Sequence, residues 1–139
     1  LLTRDSINIL IIIYVGGKSK PPFDKVPEGV EEPAAEWLRF YAVKRGHHPN
    51  AIGSFTTTSN LSMMNFNLLD HVDEISPRPI LFVVGDRAHS RFFSDDVYAR
   101  AAEPKEMFVV KDAEHIDLYD RTDRIPFDKL EEFFKTNLK

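Results

Sequence analysis

Apolar residues fall along this chain in two ways, as unbroken runs of strand length and as stripes at helical spacing. Three runs are of the first kind. Ile7 to Val15 reads INILIIIYV and stops at Gly16-Gly17. Ile80 to Val84 follows Pro77-Arg78-Pro79 and is closed by Gly85, and Glu106 to Val110 ends the third run. Continuous apolarity predicts strands, for Ile80 to Val84 a buried one of the sort found in parallel sheets. The β-branched run Ile7 to Val15 reads as a buried strand, with a helix packed on a missing partner as the alternative.

The helical stripes lie between and after these runs. Pro33 stands at a plausible helix start, and Trp37, Phe40, Tyr41 and Lys44 follow at helical spacing up to Gly46. Ser94 reads as a helix cap with Asp95 and Asp96 in the first turn, where the dipole favours acids, and Glu103-Pro104 ends that helix. From Pro126 to Leu138, the residues Phe127, Leu130, Phe133, Phe134 and Leu138 share one face. Residues 18–33 are proline-rich and charged, and 47–67 are small and polar, so both predict loops, with a helical turn or two over 62–69.

Strand, helix, strand, helix with helix-length connections predicts parallel pairing and right-handed crossovers, hence an α/β fold. We expect residues 1–32 to form an N-terminal apolar strand with a proline-rich linker, and 33–139 to form one domain, since 139 residues suit a single core. No internal repeat is visible.

Composition narrows the function classes. A formal charge of −4 with no Lys/Arg stripe argues against a nucleic-acid partner. The chain has no cysteine, which excludes disulfides, thiolate catalysis and Cys-based metal sites. The Ile7 to Val15 run falls well short of the roughly 20 residues that a membrane-spanning helix needs, and it lacks the cationic start and small-residue cleavage site of a signal peptide. We therefore expect a cytoplasmic protein without a membrane partner. Leu1 in place of methionine leads us to expect a chain that begins inside a longer reading frame.

Chemistry in open parallel sheets collects at the carboxyl ends of the strands. One such end offers Gly85, Asp86, Arg87, Ala88, His89 and Ser90, and the other Lys111 to Asp117, which contains Glu114 and His115. His89, Ser90 and Arg91 are candidate pocket residues, against a plainer role as a solvated loop. Asp117 and Asp120 read as caps for a following turn. His47-His48 has no metal-site spacing, because adjacent side chains diverge, and we expect neither a metal nor any other cofactor.

The stretch PRPILFVVGDRAHSRFFSDDVYARAAEPKEMFVVKDAEHIDLYD resembles the end of an α/β-hydrolase, near the dienelactone-hydrolase-like or esterase-like branch. The resemblance covers roughly residues 33–139, is strongest from Pro77 onward, and leaves residues 1–30 without a counterpart. It implies a partial α/β-hydrolase fold, a short parallel sheet with flanking helices, and a parent acting by acyl transfer on a small-molecule ester or related carbonyl. His115 matches the family's general base, whose pKa near neutrality lets it take and return a serine proton. The matching acid normally stands further along the loop, where this chain has Ala88. Asp86 is the candidate instead, with Asp95 and Asp96 as the fallback. The region between the late strands often forms a lid or pocket wall in this family, which makes Phe55, Met64 and Phe66 candidates for that wall, with plain core as their other role.

The G-x-S-x-G turn that presents a nucleophilic serine in this family occurs nowhere in the 139 residues. Neither Gly16-Gly17-Lys18-Ser19 nor Ile52-Gly53-Ser54-Phe55 fits it. The expectation is a chain that is catalytically silent alone, lacking an N-terminal half that its parent carries. The alternative is a non-enzymatic binding module that keeps the scaffold and covers its open sheet edge by forming a homodimer. A flavodoxin-like nucleotide binder fits poorly, because no glycine-rich phosphate loop follows the first run.

Overall fold

The computed structural model describes residues 22–32, 34–50 and 58–138. The Ile7 to Val15 strand and Phe55 lie outside the described residues. Two compact units divide the chain, Leu1–Phe66 and Asn67–Lys139.

In the first unit, helix α1 spans Ala34–Tyr41. Its buried face differs from the aromatic stripe expected above. Ala34, Ala35, Leu38 and Ala42 go inside, with Leu38 only 1% exposed, while Trp37 is half-buried and stacks on Tyr41 at 5.7 Å between ring centroids. Small residues let the backbone approach its neighbours, so the bulky rings are left at the margin. Glu32 accepts from the Glu36 backbone N–H at 3.1 Å and pairs with Arg39 at 2.7 Å, which ties off the start of the helix. An isolated parallel bridge joins Phe23 to Val43, and a short helix α2 spans Ser59–Met64. Met64 is 80% exposed and Phe66 68% exposed, so neither serves as core.

The second unit carries a two-stranded sheet among the described residues. Strand β1 (Ile80–Gly85) pairs in parallel with β2 (Lys105–Val110), from Ile80 opposite Lys105 to Gly85 opposite Val110. This agrees with the α/β class and the parallel pairing read from the apolar runs. Helix α3 (Arg91–Arg100) makes the crossover between the strands, followed after β2 by a single turn α4 (Asp117–Asp120) and by helix α5 (Phe127–Asn137).

A small core forms where α3 meets the turn before β1. Val72, Val97 and Ala101 are buried there, with Leu69, Ile75, Ile80 and Phe82 packed against them. Lys105 closes the C-terminus of α3 by donating to the carbonyls of Tyr98 (2.9 Å) and Ala101 (2.7 Å), where the helix dipole favours a cation.

Helix α3 starts three residues before the expected cap. Ser94, Asp95 and Asp96 lie inside it, and the acids pair along the helix, Asp95 with Arg91 at 3.5 Å and Asp96 with Arg100 at 3.9 Å. On α5 the expected apolar stripe is present, but Phe127, Phe134 and Leu138 are 52%, 51% and 71% exposed. Lys129 anchors this helix to β2 through Glu106 at 2.6 Å, and that carboxylate raises the ammonium pKa above its ordinary value.

One surface pair gives a pH test. His71 Nδ1 stands 2.8 Å from Glu74 Oε1, and the hydrogen bond and charge of Glu74 raise the imidazole pKa above 6.5. A raised folded-state value means that the stabilising contribution is complete below 6.5 and fades as pH climbs through the folded pKa. An NMR titration should place His71 above the free-histidine value, and Glu74→Gln should return it. Because the ring is fully exposed, the unfolding midpoint should barely move.

Candidate functional site

The loops after β1 and β2 meet because their strands are adjacent, parallel and end in register. Gly85 is the point of closest approach. A Cβ there would overlap the Ala113 carbonyl oxygen and lie 2.7 Å from its carbon, so glycine is required for space at this position. Two backbone bonds then join the two strand ends, the Asp86 N–H donating to Val110 (3.0 Å) and the Arg87 N–H to Ala113 (3.1 Å), while the Ala88 N–H closes the first loop back on Gly85 (3.2 Å).

The second loop is shaped by its own residues. Asp112 adopts a left-handed φ of 55°, which Asp tolerates better than branched residues do. Arg124 donates to the Lys111 and Asp112 carbonyls at 3.1 and 3.3 Å, fixing the turn from outside. Ala113 and Ile116 are 0% exposed and anchor the loop beneath His115. Asp117 is buried and accepts the Glu114 N–H at 3.0 Å, while its own N–H donates to the Glu114 carbonyl at 3.2 Å. This reciprocal pairing ties Asp117 back to the loop before its helical turn, whose N-cap residue Ile116 makes no side-chain cap hydrogen bond.

His115 is held at both ring nitrogens. Ser90 Oγ stands 2.8 Å from Nδ1, and Tyr119 Oη stands 2.7 Å from Nε2. The His89 ring lies 5.9 Å from that of His115, centroid to centroid. Of the residues picked from sequence, the structure thus gathers His115, Ser90 and His89. Tyr119 was not picked, although its place four residues after His115, on a helical turn, was the available signal.

Ser90 occupies the N-cap position of α3 but makes no side-chain cap hydrogen bond. Its hydroxyl goes to His115 instead. A capping serine is worth about 1 kcal/mol to a helix, a contribution that the Ser90 side chain does not make here.

Asp86 lies in the same loop, and its Oδ1 is buried without a hydrogen-bond partner. Such an atom carries a desolvation cost of about 1–3 kcal/mol. Arg87 extends to Glu114 at 3.9 Å across the loops. The fallback acids Asp95 and Asp96 remain in their helical ion pairs. His48 Nδ1 accepts from the Asn50 N–H at 3.2 Å, a turn contact. Among the described residues no group of three His, Asp or Glu could hold a metal ion, and no helix is long and apolar enough to cross a membrane.

Fold and site together define an α/β unit in which a serine–histidine–tyrosine chain sits at the carboxyl end of a parallel strand pair. The sequence is 48% identical over 122 residues to the uncharacterized protein PA2218 of Pseudomonas aeruginosa, a match covering 86% of this chain and 33% of that protein. It is 32% identical over 91 residues to the uncharacterized protein YcjY of Escherichia coli, covering 65% of this chain and 29% of that one. The crystal structure of the hypothetical protein PA2218 matches the fold with a TM-score of 0.76 at 47% identity, over 86% of this chain and 38% of that chain. This chain therefore spans about a third of the length of these relatives. No protein-family model matches the sequence.

Proposed function

We propose that this chain corresponds to the C-terminal part of a serine-type α/β-hydrolase acting on esters or related carbonyl compounds. One observation carries the reading: His115 and the Gly85 loop meet at the carboxyl ends of two adjacent parallel strands, where open α/β sheets place their chemistry. In this reading His115 is the general base, with Nε2 taking the proton of a nucleophilic hydroxyl. Asp86, the acid expected from the sequence, makes no hydrogen bond to the ring, whose two nitrogens face Ser90 and Tyr119. The nucleophile belongs to the two thirds of the relatives' length that this chain does not span.

The test is complementation. The chain alone should neither hydrolyse a short acyl ester nor be labelled by a fluorophosphonate. Mixed with the part of PA2218 outside the match, it should restore both activities, and His115→Ala should abolish turnover. Reconstituted turnover that survives His115→Ala would refute the reading.

A second reading is favoured by the apolar surface of the second unit. Phe92 and Phe93 are about as exposed as the outer residues of α5, and exposed apolar patches of this kind commonly mark interaction sites. A self-associating module that keeps the scaffold would bury them. Sizing of the same samples separates the two readings, since this one predicts a dimer of the chain alone and no turnover in the mixture.

A further inference from the structure

We propose that Ser90 is the residue that orients His115, accepting its Nδ1 proton, while the Tyr119 phenol occupies the position on Nε2 that a nucleophilic hydroxyl would take. The inference rests on the hydrolase reading for its catalytic meaning, but its geometry stands on its own. Both ring nitrogens have a hydroxyl at hydrogen-bond distance. Neutral imidazole offers one donor and one acceptor, so one hydroxyl accepts and the other donates.

Acidity decides which does which. A phenol, with a pKa near 10, is a far better donor than an aliphatic alcohol and a poorer acceptor. The favoured arrangement has Tyr119 O–H donating to Nε2 and His115 Nδ1–H donating to Ser90 Oγ. This is the tautomer that a carboxylate imposes in a Ser–His–Asp site, with the Nε2 lone pair turned toward the proton to be removed. Ser90 then stands in the acid's place. Asp86, one residue after Gly85 and with a buried oxygen lacking a hydrogen-bond partner, makes no hydrogen bond to the His115 ring and does not fix the tautomer.

The absent cap is the other side of the same placement. Ser90 sits where a serine side chain would normally cap α3; its carbonyl accepts the Phe93 N–H at 3.0 Å, but its hydroxyl makes no cap bond. A hydroxyl withheld from its helix and given to an imidazole 25 residues away is committed to that imidazole. Ser90, beside His89 in the loop after β1, acquires a role in this way.

Long-range proton–nitrogen NMR on the full chain with labelled histidine reads the tautomer directly. His115 should be in the Nδ1–H form at neutral pH and above. Ser90→Ala leaves Nδ1–H without its acceptor and should move the tautomer ratio about tenfold toward Nε2–H, the size expected for one part-buried hydrogen bond. It should also lower the His115 pKa, because the imidazolium needs an acceptor at Nδ1 and the neutral ring can escape by switching tautomer. Ser90→Thr should restore both, and Asp86→Asn should leave the ratio unchanged. An Nε2–H tautomer in the unaltered chain would overturn the proposal, as would a ratio that follows Asp86→Asn instead of Ser90→Ala. If Ser90→Ala fails to fold, the unaltered chain and Asp86→Asn still decide the matter. These readouts need no turnover, so failed complementation would count against the hydrolase reading and leave the assignment of Ser90 intact.

Discussion

Gly85→Ala is expected to lower the stability of the second unit by about 2–3 kcal/mol, near the upper end for forcing an atom into a packed site. The added methyl meets the backbone carbonyl of Ala113, not a side chain that can swing aside. Relief requires the two strand-end loops to part, which strains the Arg87 to Ala113 and Asp86 to Val110 hydrogen bonds. Urea unfolding of the full chain measures the loss. A second substitution, Ala113→Gly, should not rescue it, because the obstacle is the carbonyl oxygen. The same change separates Ser90 from His115, so the imidazole resonance of the variant should lose its fixed tautomer. A variant as stable as the parent, with that resonance unchanged, would show that the loops are not held at this point.

The parts of the fold that were legible in the sequence are those where one physical signal dominates. Ile80 to Val84 and Glu106 to Val110 are largely apolar runs bounded by turn residues, and they form β1 and β2 within a residue of the expected ends. The stripe from Phe127 onward became α5. The start of α3 was misread because Ser94-Asp95-Asp96 carries the composition of a cap, whereas the residue at the true N-cap, Ser90, does not act as one. No composition rule reveals a hydroxyl engaged elsewhere. On α1 the aromatic stripe drew attention from Ala34, Ala35 and Leu38, whose small size or close fit puts them inside.

The candidate site was legible in its positions and less so in its pairings. Two strand-end loops, with His89 and Ser90 on the first, follow from topology, while His115 as the base follows from the resemblance to the hydrolase family. Which group faces which nitrogen depends on loop shape, and that shape rests on the left-handed Asp112, the Arg124 brace and the Gly85 contact. Each is a tertiary effect with no local periodicity. A reading from sequence favours a carboxylate as the partner of a histidine, because that is the familiar one, and so it gives Ser90 only a pocket role and passes over Tyr119, which folds into reach.

Ile116→Ala is the other substitution expected to act strongly, and it bears on how the site is supported. Ile116 is fully buried directly after His115, at the entry to α4, which packs on β1. Removing its outer carbons forfeits transfer free energy and leaves a cavity that a tight loop closes only in part, a cost of about 2–5 kcal/mol. Phe92→Ala deletes a larger side chain, but that ring is 60% exposed, so the change should stay within about 0.5 kcal/mol of the parent. Chemical denaturation of the two variants side by side makes the comparison, and the smaller deletion should be the more damaging. Ile116→Val should recover most of the loss, leaving about 0.5–1.5 kcal/mol. Because Ile116 holds the loop from beneath, the alanine variant should also loosen the Ser90–His115 pair before the unit unfolds, seen as faster exchange of the His115 ring proton. Equal stability of the Ile116→Ala and Phe92→Ala variants would mean that burial at this position does not anchor the loop.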